Sequence, residues 1–135
     1  MIVLDASAVV DLILALPPHA DEIGDRVRRE ASNLLTLHLL DSEVGQVLRR
    51  YVRRGEISPM RAIEAIDDLG SLPLQRYGHL SLLERAFALR DNATIYDALY
   101  VALAEGTGAA LVTCDPKLAR VPGHRAKVEV VGTRR

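Results

Sequence analysis

The sequence predicts an α/β fold in which a central parallel sheet of about four to five short strands carries helices on both faces. Two observations predict this class. Short apolar runs alternate along the chain with longer helical patterns, the order expected of parallel strands joined by crossover helices. The chain has 135 residues without repeats, low-complexity segments or linkers, so we expect a single domain over residues 1–135.

Five elements are expected in the first part of the chain. Strands are predicted over residues 2–4 and 34–38, and helices over residues 6–16, 19–31 and 42–54. The last of these helices has the clearest pattern, because its apolar side chains recur at i, i+3, i+4, i+7 and i+8 and form a buried stripe. The stripe consists of Val44, Val47, Leu48, Tyr51 and Val52.

The remaining elements follow at shorter intervals. Ser58 and Pro59 open a helix as N-cap and first helical residue. Ser81 and Glu84 have the spacing of a capping box, which predicts a helix running toward Arg90. Strands are predicted over residues 72–77, 110–113 and 128–131, a buried helix over residues 94–105, and a short helix from Asp115-Pro116.

The charge is nearly balanced overall but unevenly distributed. With 17 Lys and Arg against 18 Asp and Glu, the net charge is -1, which argues against a cationic surface that coats nucleic acid. Residues 1–25 contain five acids and no Lys or Arg, whereas residues 116–135 are strongly basic. A second basic cluster consists of Arg49, Arg50, Arg53 and Arg54. Local patches of either sign are therefore candidates for binding.

Several classes of protein are excluded by composition. Cys114 is the only cysteine, so neither an intrachain disulfide nor a thiolate zinc site is expected. The four histidines are scattered without metal-ligand spacing. Asp5 and Asp11 interrupt the first apolar stretch, and no positive residues precede it, which argues against a signal peptide and a membrane span. We therefore expect a cytoplasmic protein without membrane contact.

Four carboxylates are expected at one edge of the sheet. Asp5 and Asp115 lie at the ends of two predicted strands, and open parallel sheets bind ligands at strand ends where the strand order reverses. Glu43 and Asp97 lie in the first turns of two predicted helices. All four side chains should therefore approach the same edge.

Each acid also has a structural explanation. Asp5 and Asp115 suit helix N-caps, Asp97 lies three residues after Thr94 as in a capping box with Thr94 as N-cap, and an acid such as Glu43 in a first turn suits the helix dipole. Carboxylates brought together, however, repel one another unless a counter-ion lies between them. Oxygen ligands alone favour Mg²⁺ or Mn²⁺ over zinc. The hydroxyls of Ser7 and Thr113, each two residues from one of these acids, are candidates to support the ligands. The alternative for both is an ordinary turn or strand role.

Four stretches carry a resemblance to PIN-domain ribonucleases, and within them to the VapC-type toxins of bacterial toxin–antitoxin pairs. Their order and spacing cover essentially the whole chain. The stretches are Ile-Val-Leu-Asp5-Ala-Ser7, Asp41-Ser-Glu43-Val, Asn92-Ala-Thr94-Ile-Tyr-Asp97-Ala-Leu-Tyr-Val-Ala-Leu-Ala and Leu-Val-Thr113-Cys-Asp115.

The resemblance implies a PIN-like domain and an Mg²⁺- or Mn²⁺-dependent endoribonuclease, the toxin of a type II pair, inhibited by a small VapB-like antitoxin. It also implies a homodimer or a toxin–antitoxin hetero-oligomer. The family's acidic quartet, which is catalytic and binds the metal, matches Asp5, Glu43, Asp97 and Asp115. Asp41 precedes Glu43 by two residues, so either acid is open as a ligand; we favour Glu43 because the stripe behind it fixes its register.

The expected reaction is attack of metal-activated water on phosphorus, in line with the 3′ oxygen, leaving a 5′-phosphate and a 3′-hydroxyl. Arg49 and Arg50 are candidates to bind RNA phosphates, or else they complement the helix dipole. The basic C-terminal stretch is a comparable candidate for RNA or an acidic partner. Apolar helix faces are expected to be mostly core, with part forming a groove for an antitoxin helix.

Three other functions are compatible with parts of the pattern. A phosphoacceptor receiver domain needs adjacent acids after its first strand, and Asp5 is single. A catalytically silent PIN-like module that binds RNA or protein would be marked by loss of a cluster acid, and none is lost. A DNA-cutting relative stays open, because a metal site alone does not read the 2′-hydroxyl.

Overall fold

Five parallel strands form the central sheet in the order β3-β2-β1-β4-β5 in the computed structural model of this chain, which describes residues 1–132. The strands are β1 (Ile2–Leu4), β2 (Leu34–Leu37), β3 (Leu74–Tyr77), β4 (Ala110–Thr113) and β5 (Val128–Val130). Across these residues the helices are α1 (Ala6–Ile13), α2 (Ala20–Arg29), α3 (Leu39–Arg53), α4 (Pro59–Ser71), α5 (Leu80–Ala88), α6 (Ile95–Thr107) and a 3₁₀ helix, Pro116–Arg120. The predicted α/β class is confirmed.

Side chains of β1 alternate between two hydrophobic cores, one on each face of the sheet. Ile2 and Leu4 belong to a core shared with α1, α3 and α4, whereas Val3 belongs to a core shared with α5 and α6. All three side chains are fully buried. Burial on both faces explains why the inner strands are continuous apolar runs rather than alternating patterns.

The strand order reverses between β1 and β4. These strands are neighbours, with Ile2 opposite Ala110 and Leu4 opposite Val112. The chain extends the sheet from β1 through β2 to β3, then returns so that β4 and β5 extend the other side. The carboxyl ends of β1 and β4 therefore border the crevice in which such sheets bind ligands.

The first helix ends three residues earlier than the predicted 6–16. α1 stops at Ile13, and Ala15 adopts a left-handed φ of 55°. The backbone N–H groups of Ala15 and Leu16 donate to the carbonyls of Leu12 and Asp11, the two bonds of a Schellman motif. The chain therefore turns away before Pro17-Pro18 instead of running up to it.

Two other helix starts differ from the prediction. α3 begins at Leu39 rather than at residue 42, because its N-terminal Leu39 N–H donates to Nε2 of His79, a partner 40 residues away. Glu43 consequently lies in the second turn of α3, not the first. α5 begins at Leu80, so Ser81 is not its N-cap; His79 occupies that position without a side-chain capping bond.

The other predicted caps are confirmed. Ser58 Oγ accepts a hydrogen bond from Arg61 N at 3.0 Å, and Thr94 Oγ1 accepts from Asp97 N at 3.2 Å. Among residues 1–132, no helix is long and apolar enough to cross a bilayer. Two residues of the predicted basic C-terminal stretch, Arg134 and Arg135, lie outside the described residues.

Candidate active site

The four predicted acids lie together at the carboxyl edge of the sheet, with Asp5, Glu43 and Asp115 around Asp97. Asp97 occupies the first turn of α6, and burial together with the charge of Asp97 raises the pKa of both Asp5 and Glu43. Burial, followed by the charge of Asp115, raises the pKa of Asp97 in turn. Acids from the end of β1, from α3 and from the end of β4 therefore lie within range of the charge of Asp97.

Asp5 is fixed by hydrogen bonds to both of its carboxylate oxygens. Oδ1 accepts from the backbone N–H of Ala8 at 3.0 Å, as the N-cap of α1, and from Ser7 Oγ at 2.8 Å. Oδ2 accepts from Thr113 Oγ1. The residue is only 6% exposed, and burial raises its pKa from 3.8 to about 6 even though these donors lower it. The side chain is therefore rigid, and its negative charge is energetically unfavourable.

Ser7 and Thr113 connect the start of α1 to the end of β4. Ser7 Oγ accepts from Cys114 N at 3.0 Å, Thr113 Oγ1 accepts from Asp115 N at 3.0 Å, and the two hydroxyl oxygens lie 3.2 Å apart. Both hydroxyls also donate to the same carboxylate, that of Asp5. This geometry agrees with the supporting role that their sequence positions predict, which stays a prediction.

Glu43 and Asp41 have different surroundings although they are two residues apart on α3. Glu43 Oε1 accepts a hydrogen bond of 2.7 Å from the hydroxyl of Tyr100, a residue of α6 that is 2% exposed. Asp41 is instead bound by Arg76 of β3, whose Nε and Nη2 each lie 2.8 Å from one of its carboxylate oxygens. Glu43 is thus the acid that faces the cluster, whereas Asp41 is neutralised by an arginine.

Asp97 borders a cavity of about 230 Å³ beside the cluster. The cavity is lined by Asn92, Ala93, Thr94, Asp97, Lys117, Leu118 and Val121. Asp115 caps the 3₁₀ helix by accepting from Lys117 N at 3.0 Å, and the ammonium of Lys117 lies 4.0 Å from Asp115 Oδ2. The charge of Lys117 lowers the pKa of Asp97 against the larger effect of burial. A cation beside an acidic cluster suits contact with a phosphate group.

The donor set fits a hard divalent cation. All four acids offer carboxylate oxygens, the ligands that such cations prefer. Burial and the neighbouring acids raise the pKa of Asp5, Glu43 and Asp97, so bringing these charges together is unfavourable without positive charge between them.

The two predicted RNA-binding arginines lie away from the acids. Arg49 and Arg50 are exposed in the C-terminal half of α3, whereas Glu43 is near its N-terminus. Arg49 lines a groove between α3 and α4 that is mainly apolar. Exposed Ile63 and Ile66 of α4 form part of this groove. The structure therefore places Arg49 at the edge of a surface suited to a partner segment.

A second group of possible metal ligands, which the sequence did not predict, contains Cys114 and lies apart from the four acids. Asp11, His19 and Cys114 bring one carboxylate oxygen, one ring nitrogen and the thiol sulfur within 4.8 Å of one another. The three residues come from separate elements, so their sequence spacing carries no signal of the cluster. The absence of metal-ligand spacing among the histidines gave no indication of it, because the cluster contains only one histidine. Burial, and then the charge of Asp11, raises the pKa of the Cys114 thiol to about 12, so this thiol is neutral.

Comparison with known proteins agrees with this architecture. The PIN domain family model matches residues 2–124. The chain is 41% identical to Ribonuclease VapC12 of Mycobacterium tuberculosis over 97% of this chain and 99% of that protein. It is 42% identical to Ribonuclease VapC1 of the same species over 96% of each chain.

Solved structures show the same fold. PAE2754 from Pyrobaculum aerophilum superposes with a TM-score of 0.69 at 27% identity, over 96% of this chain and 83% of that one. VapBC2 from Rickettsia felis, bound to a DNA fragment from its promoter, superposes with a TM-score of 0.70 at 18% identity, over 97% and 99%. On the family match and the full-length identities, the chain belongs to the PIN domain family and, within it, to the VapC ribonucleases.

Proposed function

We propose that this chain is the toxin of a type II toxin–antitoxin pair, an Mg²⁺- or Mn²⁺-dependent endoribonuclease that acts on RNA in the cytoplasm. Residues 1–135 act as one nuclease domain under this proposal. The observation that carries it is the group of four carboxylates, Asp97 and the three acids around it, at the point where the strand order reverses. The names of the relatives, ribonucleases of the VapC type, support the same substrate class.

The metal ligands we propose are Asp5, Glu43, Asp97 and Asp115. PIN-domain nucleases generally use divalent metals, and oxygen donors favour Mg²⁺ or Mn²⁺ among them. When bound, the cation activates water and stabilises the charge that develops on the scissile phosphate. We leave Asp41 out of the proposed set because Arg76 binds both of its oxygens.

The residues of the chain position this site. Thr113, Ser7 and the N–H of Ala8 fix the carboxylate of Asp5, and the bonds they donate oppose the rise of its pKa that burial causes. Tyr100 orients Glu43 in the same way. Lys117 offers an exposed ammonium at the edge of the cavity, where it can contact an RNA phosphate. Attack by water predicts products with a 5′-phosphate and a 3′-hydroxyl.

Cleavage of a mixed RNA substrate by the purified chain tests the proposal. Cleavage should require Mn²⁺ or Mg²⁺, stop with EDTA, and leave 5′ ends that accept direct ligation. Glu43→Gln should lower the rate by at least about 100-fold, because it removes a charged ligand. Asp41→Asn, two residues earlier on the same helix, is the matched control and should keep a rate within about threefold of the parent.

The outcomes separate the candidate functions. Cleavage that survives complete chelation, or a 2′,3′-cyclic phosphate at the product end, contradicts the proposed chemistry. RNA binding without cleavage by the folded protein, in either metal, supports the alternative of a catalytically silent RNA- or protein-binding module. Cleavage of single-stranded DNA at the same rate would replace RNA as the substrate class.

The partner we propose is a VapB-like antitoxin whose apolar helix occupies the groove between α3 and α4, within a homodimer or a toxin–antitoxin hetero-oligomer. Exposed isoleucines line the groove, and Arg49 and Arg53 lie at its edge, where they complement acidic side chains. Ile63→Glu should weaken capture of the co-expressed antitoxin. Leu80→Glu on α5, which replaces a side chain that is 85% exposed, is the control and should leave capture unchanged.

Arg49 and Arg50 remain candidates for RNA phosphate contacts. Reversing both charges distinguishes the two roles, because a phosphate contact lowers RNA affinity and its salt dependence, whereas an antitoxin contact lowers only antitoxin affinity.

A further inference from the structure

The strongest feature outside the carboxylate quartet is the cluster of Asp11, His19 and Cys114. Asp11 lies on α1, His19 directly precedes α2, and Cys114 directly follows β4. Oδ2 of Asp11 lies 3.0 Å from Nδ1 of His19 and 3.4 Å from Sγ of Cys114. We propose that these three side chains form a zinc site, separate from the Mg²⁺ or Mn²⁺ site of the nuclease.

The donor atoms match the chemistry of zinc. Zinc takes nitrogen, oxygen and sulfur ligands at about 2.0, 2.1 and 2.3 Å in tetrahedral geometry, so bound donor atoms lie about 3.4–3.6 Å apart. The distances around Oδ2 of Asp11 are 3.0 and 3.4 Å, and all three donor atoms lie within 4.8 Å of one another, so side-chain movements alone would bring them around one ion. On binding, a sulfur–zinc bond forms, the thiol proton passes to solvent, and water completes the fourth position.

The two sites should not compete for the same ion. Mg²⁺ prefers oxygen donors and keeps its waters, whereas a thiol and an imidazole select zinc or another late divalent metal. The quartet has only carboxylates, and the Asp11–His19–Cys114 cluster has only one. Cellular Mg²⁺ therefore fills the quartet and leaves the cluster to zinc.

The arrangement does not favour a nucleophilic cysteine. Cys114 Sγ donates to the carboxylate of Asp11, a weak base, and not to the imidazole of His19, the base that would activate a nucleophilic thiol. The carboxylate lies between the two other groups, where it contacts both. A shared central oxygen suits coordination of one ion by all three residues.

Zinc binding would also stabilise the wall of the nuclease site. The N–H of Cys114 donates to Ser7 Oγ, and Ser7 donates to Asp5. An ion that joins α1, the residue before α2 and the end of β4 therefore holds the segment from which Thr113 and Asp115 reach the carboxylates. The proposal itself does not depend on nuclease activity.

Cobalt(II) and zinc titrations of the full chain in excess Mg²⁺ test the site. Cobalt should produce one equivalent of thiolate-to-metal charge-transfer absorption in the near ultraviolet, and zinc should abolish it. Cys114→Ser should eliminate this band. Cys114→Ser and His19→Ala should each weaken zinc binding by more than about 100-fold, measured by competition with a chromophoric chelator. His38→Ala, which removes an exposed histidine, is the control and should bind zinc as the parent does.

Thiol labelling gives a second measurement that does not require a variant. Because Cys114 is the only cysteine in the chain, the labelling rate reports this site alone, and stoichiometric zinc should slow it at least tenfold. Circular dichroism of each variant checks that it is folded. The proposal is overturned if folded protein gives no charge-transfer band. It is also overturned if zinc binding survives Cys114→Ser and His19→Ala but is lost in Asp97→Asn, which would assign the ion to the quartet.

Discussion

Replacing Asp5 by asparagine is expected to stabilise the metal-free protein while it abolishes cleavage. Asp5 is 6% exposed, and burial raises its pKa from 3.8 to about 6. The ionised form is therefore unfavourable in the folded chain unless a cation neutralises it. Asparagine is uncharged at every pH and still accepts the capping bond from Ala8 N through its amide oxygen.

The size of the effect follows from the pKa values. At 1.36 kcal/mol per pKa unit, a rise from 3.8 to about 6 corresponds to about 3 kcal/mol. The folded state holds its proton more tightly than the unfolded state, so the free energy of unfolding decreases as pH rises from about 4 to about 6. Above about pH 6 the loss in free energy of unfolding no longer changes with pH. For a chain of this length 3 kcal/mol is about 10 °C in Tm, an upper value because the amide forms weaker hydrogen bonds than the carboxylate.

Urea unfolding at pH 4, 5, 6 and 7 in the presence of EDTA measures this effect. The gain in unfolding free energy from Asp5→Asn should be near zero at pH 4 and reach its full value by pH 7. Asp68→Asn, which changes an exposed carboxylate of α4, is the control and should show a much smaller pH-dependent difference. If Asp5→Asn and the parent lose stability in parallel from pH 4 to pH 7, burial of this carboxylate is not costly and the reasoning is refuted.

Three further predictions follow from the same contacts. Thr113→Val removes a hydrogen-bond donor to Asp5. Because that bond stabilises the charged carboxylate, its loss should raise the pKa of Asp5 above about 6 by roughly one to two pH units. The acidic side of the pH–activity profile should move to higher pH by the same amount. Saturating Mg²⁺ should raise Tm more at pH 8 than at pH 5 in scanning calorimetry, because it binds the deprotonated acids, and an equal rise at both pH values would contradict this. Arg85→Met removes an ion pair of two hydrogen bonds with Glu105, whose side chain is 9% exposed. It should lower the free energy of unfolding, measured by urea denaturation, by about 1–3 kcal/mol. Arg90→Met, which breaks no ion pair found in residues 1–132, is its control.

Sequence patterns predicted those features that depend on local chemistry. Strand positions followed from apolar runs, and the N-caps at Ser58 and Thr94 followed from residue type, because a cap is decided within four residues. The convergence of Asp5 and Asp115 on one edge followed from the rule that parallel strands share their carboxyl ends.

Features that depend on contacts between residues far apart in the chain could not be predicted from local sequence patterns. The start of α3 depends on His79, which accepts from Leu39 N across 40 residues. The different surroundings of Asp41 and Glu43 depend on Arg76 and Tyr100, neither of which is near them in the chain. The cluster of His19 with Cys114 needs the turn that ends α1, which no local periodicity reveals.

The tripeptide at the end of β4, residues 113–115, has a consequence for how the chain can change. Thr113 and Asp115 lie on the side of the carboxylates, whereas the side chain of Cys114 between them contacts Asp11 on the other side. Inserting or deleting a single residue here would change which side chains reach each side and disturb both clusters at once. Substitutions can accumulate in this tripeptide one at a time, but its length is not free to vary.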